Sequence, residues 1–186
     1  MATVLEAPAR LLTAEEFLRL PDHGQRRELV NGVVIVMNMP GFRHGEVCST
    51  IVRKVGNFVE EHDLGRTICN DSGIITKRGP DTVRGADVSF YSYQRVPKGE
   101  SPTGYPGAAP EIVFEVVSPF NDRTEITVKT GEYLKANVQV VCVVDPQFKT
   151  VNLHFPDKPT ATLSGNDKLN FGELPGFSLQ VNRLFE

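Results

Sequence analysis

Two short apolar runs constrain this chain more than any other feature. Val138-Gln139-Val140-Val141-Cys142-Val143-Val144 is apolar at odd and even positions alike, and so is most of Ile112-Val113-Phe114-Glu115-Val116-Val117. Strand side chains alternate between faces, so runs of this kind demand cover on both sides of a sheet. The second run carries a glutamate at its centre. An unpaired buried carboxylate costs several kcal/mol or more, so Glu115 requires a partner or a metal ion.

The rest of the pattern supplies the covering elements. Thr13-Ala14-Glu15-Glu16 reads as a capping box opening a short helix that stops at Pro21. Glu28-Leu29-Val30 and Val33 to Met37 flank Asn31-Gly32, a strong hairpin signal. From His44 to His62, Val47, Ile51, Val52, Val55, Phe58 and Val59 form one helical stripe. Short strands are expected at 67–69, 74–76 and 87–93, then a Pro/Gly-rich loop over 94–110. Ser118-Pro119-Phe120-Asn121-Asp122 turns into a second helix, 123–136. Short strands and turns follow, with a turn at Pro175-Gly176. Residues 1–12 read as a flexible arm and 13–186 as a single domain.

The chain has 186 residues, a formal net charge of -3 and three scattered cysteines. That charge argues against a coat of nucleic acid held by bulk electrostatics, though not against a locally basic cleft. Arg53/Lys54 and Lys77/Arg78/Arg84 are the local basic clusters. Cys48, Cys69 and Cys142 lie among apolar residues and read as small buried hydrophobes in a reducing compartment. The four histidines lack zinc spacing, and no segment reads as a signal peptide or membrane span. A cytoplasmic location without a membrane partner is the expectation.

Strand parity singles out a candidate site. Asp87 opens one β-rich run and Glu115 centres another; as neighbours in one sheet, their side chains converge near its end. Two close carboxylates repel, and a cation with a preference for oxygen, Mg²⁺ or Mn²⁺, relieves that repulsion. Ile126, Lys129 and Tyr133 share one helical stripe, which draws Lys129 towards the core. Glu28, on the first strand of the hairpin, is a fourth candidate. His44 reads as a helix-end residue in preference to a general base.

These residues, in this order, resemble the Uma2 family of restriction-endonuclease-like proteins in the PD-(D/E)XK nuclease superfamily. The resemblance rests on Arg27-Glu28-Leu29-Val30-Asn31-Gly32, His44 at the head of the long helix, Ala86-Asp87-Val88-Ser89-Phe90, Pro110 to Pro119, Lys129 with Tyr133, Val143-Val144-Asp145-Pro146, and Leu174 to Leu179. It implies an α/β fold: a restriction-endonuclease-like core with a mixed central sheet flanked by helices, an N-terminal hairpin and a C-terminal β extension. It also implies Asp87, Glu115, Lys129 and Glu28 as catalytic residues, with Asp87, Glu115 and Glu28 as metal ligands. The superfamily lysine two residues after the second acid is replaced by Val117, and Lys129 is the substitute. Ala86 where the family has proline, and Val141-Cys142 where aromatics are common, touch stiffness and packing more than chemistry.

The resulting expectation is a Mg²⁺- or Mn²⁺-dependent DNA endonuclease. The alternative is a non-catalytic nucleic-acid-binding or assembly module on the same scaffold. A homodimer is expected from the apolar strand 138–144 and the small size.

Overall fold

The computed structural model describes residues 3–4, 10–21, 23–118 and 123–186. The elements run β1 (Thr3–Val4), α1 (Ala14–Leu18), β2 (Arg27–Val30), β3 (Val33–Val36), α2 (Phe42–Glu61), β4 (Gly65–Lys77), β5 (Thr82–Ser92), β6 (Ile112–Val116), α3 (Arg123–Lys135), β7 (Val140–Asp145), β8 (Thr150–His154), β9 (Ala161–Ser164), β10 (Lys168–Phe171) and β11 (Leu174–Gln180). Strands β1–β9 make one mixed sheet, and β10 pairs with β11 as a separate hairpin. Among the described residues only β6 and β7 are parallel, from Ile112↔Val140 to Val116↔Val144, with α3 in the connection between them.

The two apolar runs are central strands covered on both faces. Every residue of β6 and β7 is buried. Ile112, Phe114, Val116, Val140, Cys142 and Val144 meet Val47, Ile51, Val55 and Val59 of α2. Val113, Val141 and Val143 meet Tyr133 and Ile126 of α3 on the opposite face. The β10–β11 hairpin closes the α2 side with Leu169, Phe171, Leu174 and Phe177. Because β7 is paired on one edge with β6 and on the other with β8, the strand that motivated a dimer offers no free edge.

Local signals explain the element boundaries. At α1, Glu16 N–H donates to Thr13 Oγ1 at 3.2 Å and Thr13 N–H donates to Glu16 Oε2 at 3.0 Å, the expected capping box. Asn31 and Gly32 both take left-handed φ, 49° and 79°, as a two-residue hairpin turn requires.

A fork in the sheet sets up the site. β4 pairs with β5 from Gly65↔Ser92 to Lys77↔Thr82, with two breaks in register. The other edge of β5 is shared: β2 pairs at Val83, and β6 pairs from Val88 to Phe90. Residues 84–87 lie between these two partners. On the β4 side the register slips between Cys69↔Val88 and Ser72↔Ala86, leaving Asn70 and Asp71 as a bulge with φ of 66° and 53°. Asn and Asp tolerate this left-handed backbone better than other non-glycine residues.

Three expectations are corrected. The two strands read at 67–69 and 74–76 are one bulged strand, β4. Pro175-Gly176 lies inside β11; the turn is Gly172-Glu173, closed by Phe171↔Leu174. Cys69 is exposed, because the bulge turns its segment of β4 to solvent; Cys142 is buried and Cys48 half-buried. Within the arm, Thr3–Val4 pairs with Ile35 and Val36 of β3. The expected turn at 118–122 falls largely outside the described residues.

Gly85 faces the bulge at close range. A Cβ there would lie 2.9 Å from Asp71 O and 3.0 Å from Asp71 Cβ, so alanine forces backbone apart. Gly85→Ala is expected to lower stability by about 1 to 3 kcal/mol, read as a fall in the urea midpoint.

Candidate active site

The site is assembled at the fork, where the edge of β5 away from β4 lacks a strand neighbour among the described residues. Gly85 N–H donates to Glu28 Oε1 at 3.1 Å, and Gly85 O accepts from Lys129 Nζ at 3.2 Å. Side chains from β2 and α3 thus satisfy peptide groups that a strand would otherwise pair. Asp87 works across the same gap, its Oδ2 accepting from Val116 N–H of β6 at 2.7 Å.

Two linked groups of charge result. In one, Lys129 Nζ lies 3.0 Å from Glu28 Oε1 and 3.2 Å from Glu115 Oε2. Tyr133 Oη donates to Glu115 Oε1 at 2.8 Å. Glu28 Oε2 accepts from Arg84 Nη1 at 2.8 Å, and Arg84 Nε donates to Glu132 Oε2 at 2.6 Å. In the other, Asp87 Oδ2 lies 3.1 Å from His44 Nε2, Arg26 Nη2 lies 3.8 Å from Asp87 Oδ1, and Arg26 also pairs with Asp71 of the bulge. Each group holds one carboxylate more than its permanent cations: Glu28, Glu115 and Glu132 against Arg84 and Lys129, and Asp71 and Asp87 against Arg26. That surplus fits a divalent cation. Among the described residues the hydrogen bonds of Asp87 fall on Oδ2, which leaves Oδ1 as a donor atom.

Ionisation follows the same accounts. Burial pushes the Glu115 carboxyl up to about 7; Lys129 pulls it down, the Asp87 charge pushes it up, and Tyr133 pulls it down. Burial works against ionised Asp87 too, but His44, the Val116 N–H and Lys129 outweigh it and hold the carboxyl below its ordinary value. Glu28 is buried and still held low by Lys129 and Arg84. For Lys129, burial disfavours the ammonium, and the charges of Glu115, Glu28 and Asp87 overcome it, so its pKa is raised.

The four residues proposed from sequence lie around this one fork. Lys129 is 7% exposed, so its ammonium does not reach to solvent as a snorkelling lysine would. Glu28 is 4% exposed, inside the fold and not a surface acid on a hairpin edge. His44 is more than a helix-end residue, since it touches Asp87. Arg84, read as part of a surface basic cluster, is 5% exposed and committed to Glu28 and Glu132. Its signal is weak in sequence, although Val83-Arg84-Gly85 places it inside a strand run. Arg78 stays on the surface, paired with Glu15 and Asp81.

Known proteins share this fold. The model of the Uma2 family, described as "Putative restriction endonuclease", matches residues 14–182. The chain belongs to the Uma2 family. Among solved structures, it is similar to a putative nuclease belonging to DUF820 from Anabaena variabilis. The TM-score is 0.79 at 23% identity, over 94% of this chain and 97% of that one. That likeness shows a shared fold, the mixed α/β core expected of Uma2. No curated protein matches the chain. No described helix is long and apolar enough to cross a membrane.

Glu115 gives this Uma2 chain a pH signature without metal. It keeps its proton to about pH 7 when folded, against an ordinary 4.5. The folded state therefore binds the extra proton between those values. The group's stabilising contribution is whole below pH 4.5 and is lost as pH rises through 7. In metal-free protein, stability is expected to fall by about 1 to 3 kcal/mol across that window, and Glu115→Gln to remove the fall. Urea titrations from pH 4.5 to 8 read both.

Proposed function

We propose that this chain is a divalent-metal-dependent endonuclease that hydrolyses phosphodiester bonds in DNA. The observation that carries this reading is the position of Lys129. Its ammonium lies within 3.2 Å of both Glu28 and Glu115 while Asp87 anchors to the next residue of the same strand, Val116. Two strand-borne acids beside an enclosed cation suit phosphoryl chemistry, which depends on positioning and on charge stabilisation more than on covalent steps.

In this reading Asp87 and Glu115 hold Mg²⁺ or Mn²⁺. When bound, such an ion polarises the phosphodiester and acidifies water. Glu28 has both oxygens engaged, with Gly85, Lys129 and Arg84, and serves chiefly to position Lys129. Lys129 stabilises negative charge developing on the phosphate and orients the attacking water. Val117, where the superfamily has its lysine, packs against the α3-side core, so the cation enters from the helix instead. A cytoplasmic location and a homodimer remain part of the proposal, the dimer to be read by light scattering.

Cleavage of supercoiled, linear and single-stranded DNA with Mg²⁺ or Mn²⁺ tests the reading. Asp87→Ala is expected to abolish cleavage and Mn²⁺ binding. Lys129→Met is expected to keep Mn²⁺ binding and lose turnover by roughly 10²- to 10³-fold. Cleavage that persists in purified Asp87→Ala overturns the assignment. No cleavage of any substrate by the parent protein favours the binding or assembly module.

A further inference from the structure

We propose that His44, Cys48 and Asp87 form a site for a borderline transition-metal ion, of the Zn²⁺ or Co²⁺ class, that shares Asp87 with the oxygen-ligated site and so competes with it. The competition rests on the reading of Asp87 given above; the site itself rests on geometry. His44 and Cys48 are four residues apart on α2, so their side chains stand one above the other on the same face. Asp87 approaches from β5. One ligand atom from each of the three lies within 4.8 Å of the other two.

The imidazole is already set between its partners. Its Nε2 lies 3.1 Å from Asp87 Oδ2 and its Nδ1 3.5 Å from Cys48 Sγ. A tetrahedral ion holds nitrogen and oxygen at about 2.0–2.2 Å and sulfur at about 2.3 Å. An imidazole binds one ion through one nitrogen, so the ring turns until that nitrogen, Asp87 and Cys48 face a common point, leaving a fourth position for water.

Ligand chemistry separates this set from its neighbour. Carboxylate oxygens alone suit Mg²⁺, whereas nitrogen, sulfur and oxygen together suit Zn²⁺ or Co²⁺. Burial works against a Cys48 thiolate first, and the negative field of Asp87, Asp71 and Glu115 adds to it. A bound cation reverses that field, and the thiol proton leaves to solvent as the metal enters. The other two cysteines stand apart: Cys69 is exposed on β4, and Cys142 is buried in the apolar core on the α2 side.

Co²⁺ titration into the reduced, metal-stripped whole chain tests the site, because a thiolate ligand adds a charge-transfer band to the Co²⁺ spectrum. The expected result is one equivalent of Co²⁺ with that band. Cys48→Ser, or Cys48→Ala if serine impairs folding, removes the band. His44→Ala weakens Co²⁺ binding by roughly tenfold or more, and Cys69→Ser changes neither. Zn²⁺ then inhibits Mg²⁺-dependent cleavage, and Cys48→Ser relieves the inhibition. A band that survives loss of Cys48, or no band at all, overturns the site. If Mn²⁺ binding depends on Asp87 while the Co²⁺ spectrum ignores Cys48 and His44, the nuclease reading stands and this one falls. If the band needs both residues and no ion supports cleavage, the site stands and the nuclease reading falls.

Discussion

Peptide groups on the free stretch of β5 need partners, and that need organises the molecule. Between Val83, paired to β2, and Val88, paired to β6, no described strand pairs with this edge. Buried main-chain donors and acceptors left alone are expensive. Glu28 and Lys129 meet those of Gly85, and Asp87 reaches across to Val116. The residues that complete the sheet are therefore the ones that bear the charge. Structure and chemistry share the same atoms, so a change at Glu28 or Lys129 alters backbone pairing as well as electrostatics.

Charge balance follows from that arrangement. A buried ion pair broken by removal of one partner leaves an uncompensated charge, at a cost of about 3 to 5 kcal/mol. Arg84 guards against this by joining Glu28 to Glu132. Among the described residues Glu115 has no arginine partner, and its carboxyl is pushed up to about 7 by burial. Its Lys129 partner arrives from the helix that connects the two parallel strands. The crossover thus delivers a cation to the face of β6 that bears Glu115, which the apolar Val117 on the strand cannot do.

Much of this was legible in sequence, wherever the deciding interaction is local or periodic. Strand alternation placed Glu115 with Val113, helical spacing placed Lys129 with Tyr133, and Asn31-Gly32 fixed the hairpin that carries Glu28. What escaped depends on pairings distant along the chain. Arg84 resembles Lys77 and Arg78 until β2 folds back and supplies Glu28. His44 has an ordinary place in the first turn of a helix until β5 brings Asp87 to it. Pro175-Gly176 has turn chemistry but serves the irregular register of β11. Asn70-Asp71 would read as a turn between strands; only the continuous partner β5 shows it to be a bulge.

That bulge also bears on how the molecule behaves among its neighbours. β4 has thirteen residues and, among the described residues, pairs only with β5, so its outer edge is a template on which a foreign strand could add. Two left-handed residues near its middle kink this edge and interrupt its hydrogen-bonding rhythm. An incoming strand in register with one half is out of register with the other. The kink that brings Asp71 to Arg26 thereby also discourages sheet-to-sheet aggregation.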